Sequence, residues 1–358
     1  MAIGFPVKDD YVTGDVLTAA NMNDLSGTLN TIQSVEYAAG KNAIINGAFN
    51  VWQRGTTFTN TTVNTYTADR WFFGGSGNNT GAISRQTFTP GTAPVAGYEG
   101  QFFFRFDQTT TAISPTVTQR IEDVRKFAGQ TVTVSFWAKT ASSMNGLRSI
   151  TINQNFGSGG SGTVTTTVNS AVATTTAWTR FSYSVAVPSI SGKTVGTSSY
   201  FELSFNTAEF VAVTLDIWGV QVEASSTASD FQTATGTIQG ELAACQRYYW
   251  RFGAHSGGTA GAYQQYGITG YVSLTTQALV QMMYPVRMRA TPTSIDFANI
   301  SINDQNNTTF AISALTFNAQ NDSTGGFVAT IAGATANRFC IIQNNNNTGG
   351  FLGISAEL

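Results

Sequence analysis

Groups that could break or make a covalent bond are scarce in this chain. The single histidine, His255, lies in the glycine-rich stretch GAHSGG. It could complete a Ser-His-Asp set only beside an activated serine, and no GxSxG elbow surrounds any serine. With one histidine a multi-histidine metal site is impossible, and His255 reads as a loop residue. Cys245 and Cys340 lie far apart without CxxC spacing, which points to two buried thiols and to neither a zinc nor a redox motif. Glycoside cleavage needs only two carboxylates roughly 5 to 10 Å apart, so the acids decide whether hydrolysis stays open. Glu122 and Asp123 in QRIEDVRK are adjacent, would face opposite sides of a strand, and sit among Arg120, Arg125 and Lys126 as surface ion pairs. Asp69 in YTADRWFF and Asp216 in LDIWGVQVE are isolated acids beside aromatics. Turn and hydrogen-bonding roles account for both, with acid chemistry as the competing reading.

Non-covalent recognition has more to work with. In TVTVSFWAK, Val132, Val134, Phe136 and Ala138 share one side of a strand and leave Thr133, Ser135, Trp137 and Lys139 on the other. Arg105, Arg180 and Glu202 take outward positions on comparable strands. An aromatic plate with hydrogen-bonding groups around it suits a sugar, whose apolar face stacks on the ring while its hydroxyls meet charged and amide groups. Trp137, Arg105, Lys139, Arg180 and Glu202 are therefore the candidate glycan contacts. The competing reading has Trp137 covered by a neighbouring domain or subunit.

These residues need strands to position them, and the composition supplies strands. Gly (36) and Phe (25) are abundant, and Thr, Ser and Asn crowd most segments, the usage of strands joined by tight turns. Charged residues are only 11% of the 358 positions and the net charge is -2, which excludes a basic field for nucleic acid and a polybasic membrane patch. No stretch has the length of a signal-peptide core or of a membrane-spanning helix, so the expected product is made in a cytosol without membrane insertion.

Four segments follow. Residues 1–42 carry Met22, Leu25, Leu29 and Ile32 in one helical stripe after the capping Thr18, a short seam able to associate three copies or to pack on its own domain. Residues 43–228 alternate with period two in QFFFRFD, TVTVSFWAK, TRFSYSVAVP and YFELSFN, as the one-sided strands of a two-sheet β-sandwich must. A connecting helix is expected within 229–252, where Ile238, Leu242 and Cys245 fall at helical spacing. Residues 253–358 return to strands and form a smaller C-terminal β domain. The fold class is thus all-β.

Several motifs together resemble a family: NAIINGAFNVWQRG, YTADRWFF, FAGQTVTVSFWAK, NFGSGGS, AWTRFSYSVAVPS followed by GKTVG, LDIWGVQVEASSTASDF and ELAACQRYY. Over residues 41 to 250 the chain resembles bacteriophage tail-fibre and minor structural proteins with a carbohydrate-binding-module-like jelly roll. The opening GDVLTAANMND resembles short virion-attachment segments. The resemblance implies a jelly roll that runs from NGAFNVWQRG as first strand to LDIWGVQVE as last. It also implies a structural calcium near those strands with Asn46 and Asp216 as oxygen ligands, although Ala48-Phe49-Asn50 replaces the acid such sites carry after the NG turn. No other cofactor is expected. The implied protein is a non-enzymatic, homotrimeric virion appendage. It would dock on phage tail or capsid proteins by its N-terminus and attach to a host-surface glycan or receptor, with the C-terminal domain as a tip. A capsid head fibre or decoration protein, and a capsular polysaccharide depolymerase using Asp69 or Asp216, are the alternatives.

Overall fold

A computed structural model describes residues 40–76, 81–95, 98–109, 115–209, 211–253 and 263–358. The stripe Met22, Leu25, Leu29 and Ile32, and His255, lie outside the described residues.

Alternating strands of the central segment build two six-stranded antiparallel sheets. The first has the order β1 (Thr57–Thr59), β4 (Ala82–Thr87), β5 (Phe102–Gln108), β12 (Val213–Glu223), β7 (Thr131–Thr140) and β10 (Thr179–Ala186). The second has the order β2 (Thr65–Tyr66), β3 (Trp71–Gly75), β6 (Pro115–Glu122), β11 (Tyr200–Thr207), β8 (Met144–Asn155) and β9 (Val164–Thr174). Apart from the consecutive pairs β2–β3, β4–β5 and β8–β9, neighbours in sheet order are distant in sequence, as in a jelly roll. The inner faces meet in one core that holds Phe104 and Phe106 of β5, Val134 and Phe136 of β7, Phe201, Leu203 and Phe205 of β11, and Ile217 of β12. Burying each such side chain contributes about 1.5–3 kcal/mol.

The first strand of this sandwich differs from expectation. NGAFNVWQRG is not a strand: Asn46 and Phe49 take φ of 58° and 56°, and β1 begins only at Thr57. Asn46 explains the difference. Its amide donates to the carbonyls of Val51 and Asp69 at 2.8 and 3.0 Å, and its Oδ1 accepts the Val51 N–H at 3.0 Å. One short side chain thereby closes a left-handed turn that asparagine tolerates. The turn drives Phe49 and Trp52 into the core against Phe104.

After the sandwich, helix α1 spans Ile238–Gln246, with Thr237 as its cap accepting the Gly240 N–H. The chain then forms a three-stranded sheet, β13 (Tyr249–Gly253), β22 (Phe351–Ser355) and β16 (Ser294–Ala298). A seven-stranded antiparallel sheet covers it, with the order β18 (Thr309–Ala311), β17 (Ile300–Asp304), β21 (Phe339–Asn344), β14 (Gln265–Leu274), β15 (Gln277–Met283), β20 (Thr324–Thr330) and β19 (Ala314–Gln320). Trp250, Leu352 and Ile354 of the small sheet share one core with Ile268, Val280, Phe327 and Ile342 of the large one. The other side of the small sheet meets the jelly roll. There the Arg54 guanidinium lies 3.5 Å from the centre of the Tyr249 ring, and Gln53 Nε2 donates to the Tyr249 carbonyl at 2.7 Å. Cys245 and Cys340 are free, buried thiols.

Candidate functional site

The outer face of the first sheet carries most of the residues expected there. In β5, Phe103 and Arg105 point away from the core that Phe104 and Phe106 enter. The register pairs Arg105 with Asp216 of β12, and Asp216 with Lys139 of β7, so three charges lie side by side on adjacent strands. Arg105 Nε and Nη2 donate to the two Asp216 oxygens at 2.7 and 2.8 Å, and Lys139 Nζ stands 3.6 Å from Oδ2. The carboxylate is buried while both cations keep about a third of their surface (32% and 29%) in solvent. Hydrogen bonding to Asp216 holds the Arg105 guanidinium above its ordinary pKa. Lys139 Nζ lies 5.2 Å from the Trp178 ring and 5.8 Å from Phe103, so the charged set borders aromatic surface.

Trp137 shares the outward direction but not the exposure expected of it. Its ring is only 7% exposed, covered by Phe231 and packed against Trp218 at a centroid distance of 5.4 Å. The segment after β12 folds back over this sheet, and Phe88, Phe103, Trp137, Trp218 and Phe231 form a second hydrophobic cluster. Arg180 of β10 lies over Trp137 at 4.8 Å and bonds the Ser229 carbonyl, so it clasps the covering segment. Glu202 belongs elsewhere: it is on β11 of the second sheet, where it accepts from Arg120 Nε at 2.9 Å and Asn153 Nδ2 at 2.8 Å. The structure therefore brings Arg105 and Lys139 together, places Trp137 and Arg180 under and against a cover, and separates Glu202 from all four.

Like Tyr98, Trp178 is a part-exposed aromatic of this face. It precedes β10 at an even step from Arg180, so extending the alternation by one pair of residues would have found it.

Asn46 and Asp216 are both otherwise engaged. The Asn46 amide is spent on its own turn, and Asp216 faces two cations, which oppose a third positive charge. Among the described residues no group of three His, Cys, Asp or Glu side chains could hold a metal ion. Asp69 is buried at the joint between the two domains, where Gln53 Nε2 donates to it at 2.6 Å and Arg54 Nη1 lies 3.8 Å away. Burial pushes its carboxyl up to about 6, against the opposite pull of Arg54 and Gln53. Glu122 pairs with Arg247 and Asp123 with Arg125, as surface charges do.

The class these features define is an all-β protein with a jelly-roll sandwich and a second β domain. No family model matches the chain, and no curated protein matches it. Among solved structures it is similar to the enzymatically active domain of tailspike protein 4 of bacteriophage CBA120, at 16% identity and a TM-score of 0.29, over 52% of this chain and 22% of that one. A CBM22-1 xylan-binding domain of Paenibacillus barcinonensis Xyn10C shares 14% identity at a TM-score of 0.28, over 49% of this chain and 94% of the other. A family 30 carbohydrate-binding module of a Clostridium thermocellum cellulosomal cellulase shares 14% at 0.29, over 47% and 95%. At such values the fold assignment rests on the sheets themselves.

Proposed function

We propose that this protein is a non-enzymatic appendage of a phage particle that attaches to glycan on the host surface. The carrying observation is the part-exposed patch of Arg105 and Lys139, fixed by Asp216 and bordered by Phe103 and Trp178. Cations held by a buried carboxylate present fixed donors to sugar hydroxyls, and the adjoining ring offers a stacking surface. In this reading residues 1–42 dock on tail or capsid proteins, three copies associate through the stripe at Met22, Leu25, Leu29 and Ile32, and the protein is made in the host cytoplasm and released in the virion. The roles of Asp69 and Asp216 favour binding without cleavage: each is a buried carboxylate engaged by neighbouring side chains.

The test measures binding of the full chain to host cells and to their purified surface polysaccharide, with reducing ends assayed in the same samples. The expected outcome is binding that falls at least tenfold in Arg105→Ala/Lys139→Ala and in Trp178→Ala, with no release of reducing ends. Release that disappears in Asp69→Asn or Asp216→Asn would replace the proposal with a depolymerase.

A further inference from the structure

The outer face of the seven-stranded sheet is nearly free of charge. Strands β14, β15, β19, β20 and β21 contain no Asp, Glu, Lys or Arg at all. Solvated sheet faces ordinarily carry charge, which keeps them soluble and unpaired. Here the register sets Tyr271 between Phe339 of β21 and Leu279 of β15, with Val328 of β20 next in the row. Tyr271 is 49% exposed and Phe339 53%, although either ring would gain from burial.

The next rows fall away into a trough. The residue beside Thr269 and Gln281 is Gly326, which contributes no side chain, and Gly267 opens the neighbouring row. At Gly326 a β-carbon would come 2.7 Å from the Ala319 carbonyl oxygen, because the irregular end of β19 leans over this position as a wall. The resulting open cavity of about 750 Å³ lies within the range of roughly 300–1,000 Å³ typical of small-ligand sites. Tyr271 and Leu279 stand at one end, Met283 at the other, and Thr269, Gln281 and Asn318 bring hydroxyl and amide groups to it.

We propose that this trough is a binding site for an uncharged saccharide. A charged ligand would enter without a counter-ion among the described lining residues, and a purely apolar one would strip water from the hydroxyls and amides without replacing it. A neutral sugar matches both halves: ring faces stack on Tyr271, and hydroxyls exchange water for Thr269, Gln281 and Asn318. The site is separate from the Arg105 and Lys139 patch, which is on the jelly roll, and it rests on the glycan-attachment reading.

The experiment uses the full chain on an array of neutral oligosaccharides (glucans, galactans and mannans) and uronate-containing ones, with light scattering on every variant. The variants are Tyr271→Ala, which removes the ring, Thr269→Trp, which fills the trough from an exposed strand position, and Arg105→Ala. Binding to neutral glycans that drops at least tenfold in both trough variants at unchanged molar mass is the expected result. Neutral binding that both trough variants retain overturns the trough, and its loss in Arg105→Ala alone leaves the attachment reading standing on the jelly roll. Binding confined to uronates overturns the trough, as does a change of molar mass in the trough variants, which makes the face a contact between copies. No binding to any glycan overturns both proposals.

Discussion

The backbone N–H of Asn46 donates to Glu241 Oε2 at 2.7 Å, joining residues 195 positions apart. The other carboxylate oxygen accepts the Thr235 N–H and hydroxyl, each at 2.9 Å. One side chain of α1 thus ties the turn that opens the sandwich to the segment that leaves it. Asn46 Oδ1 and Nδ2 are already committed within the turn, so Glu241 is the acceptor that completes it.

Replacing Glu241 with Ala leaves the Asn46 and Thr235 N–H groups without their acceptor, while the Thr235 hydroxyl keeps the Thr237 carbonyl at 3.1 Å; each unsatisfied donor costs about 1–3 kcal/mol. Water reaching Thr235 moderates the sum, and a loss of about 3 kcal/mol is expected. Glu241→Gln keeps one acceptor oxygen for the Asn46 N–H but turns its NH2 toward the Thr235 N–H, so it should lose about half as much. Urea denaturation of both variants, compared at constant slope, measures the difference.

The joint between the domains is built around Arg70. Arg70 is buried, lies 3.4 Å from the centre of the Tyr248 ring, and is paired with Glu357 while Nη2 bonds the Arg120 carbonyl. Arg120 and Tyr66 also reach the Leu358 carbonyl, at 2.7 and 3.0 Å. Removing one partner of a buried pair costs about 3–5 kcal/mol because the other charge stays buried. Glu357→Ala should therefore lower stability by that amount and speed native-state proteolysis of the three-stranded sheet ahead of the jelly roll. Equal cleavage of both domains would show that the joint does not depend on this pair.

Asp69 gives a pH signature. Its carboxyl rises from an ordinary 3.8 to about 6 on folding because it is buried. The folded state then holds the proton more tightly than the unfolded chain, so this group favours folding below about pH 4 and loses that contribution as pH climbs to about 6. That rise corresponds to at most about 3 kcal/mol. Asp69→Asn removes the titration, so stability of the natural protein relative to the variant should fall between pH 4 and 6 and level off above. Parallel curves would mean that Arg54 and Gln53 keep the carboxylate ionised throughout.

Much of the architecture was legible because burial on one side of a strand leaves a period of two. Phe104 and Phe106 against Phe103 and Arg105 in β5, and Phe136 against Trp137 in β7, all fall on the sides alternation assigns. What lies over a face has no such signature. Phe231 covers Trp137 from a segment whose own sequence shows no periodicity, and β11 carries Glu202 to the opposite sheet through pairing with β6 and β8. In α1 the helical spacing of Ile238, Leu242 and Cys245 does not mark one buried face: Ile238 and Leu242 are exposed and Glu241 is buried with Cys245. Hydrogen bonds to Asn46 and Thr235 outweigh the apolar preference there, and a partner as far away as Asn46 leaves no mark in the local sequence.

The cover over Trp137 makes the last prediction. Phe231 packs on Trp218 at 5.0 Å, on Tyr98 at 5.6 Å and on Trp137 at 6.3 Å. Phe231→Ala leaves a cavity beside two indoles, and a buried Phe→Ala change costs about 3–5 kcal/mol when the site cannot collapse. Phe231 lies between exposed Asp230 and part-exposed Gln232, so the low end is expected, about 3 kcal/mol. Tryptophan emission should move to the red as water reaches Trp137 and Trp218. If glycan binding rises at the same time, the cover hides a stacking surface that the natural protein keeps closed. An unchanged affinity with the red shift present confines recognition to residues already in solvent, Trp178 and the Arg105 and Lys139 cations among them.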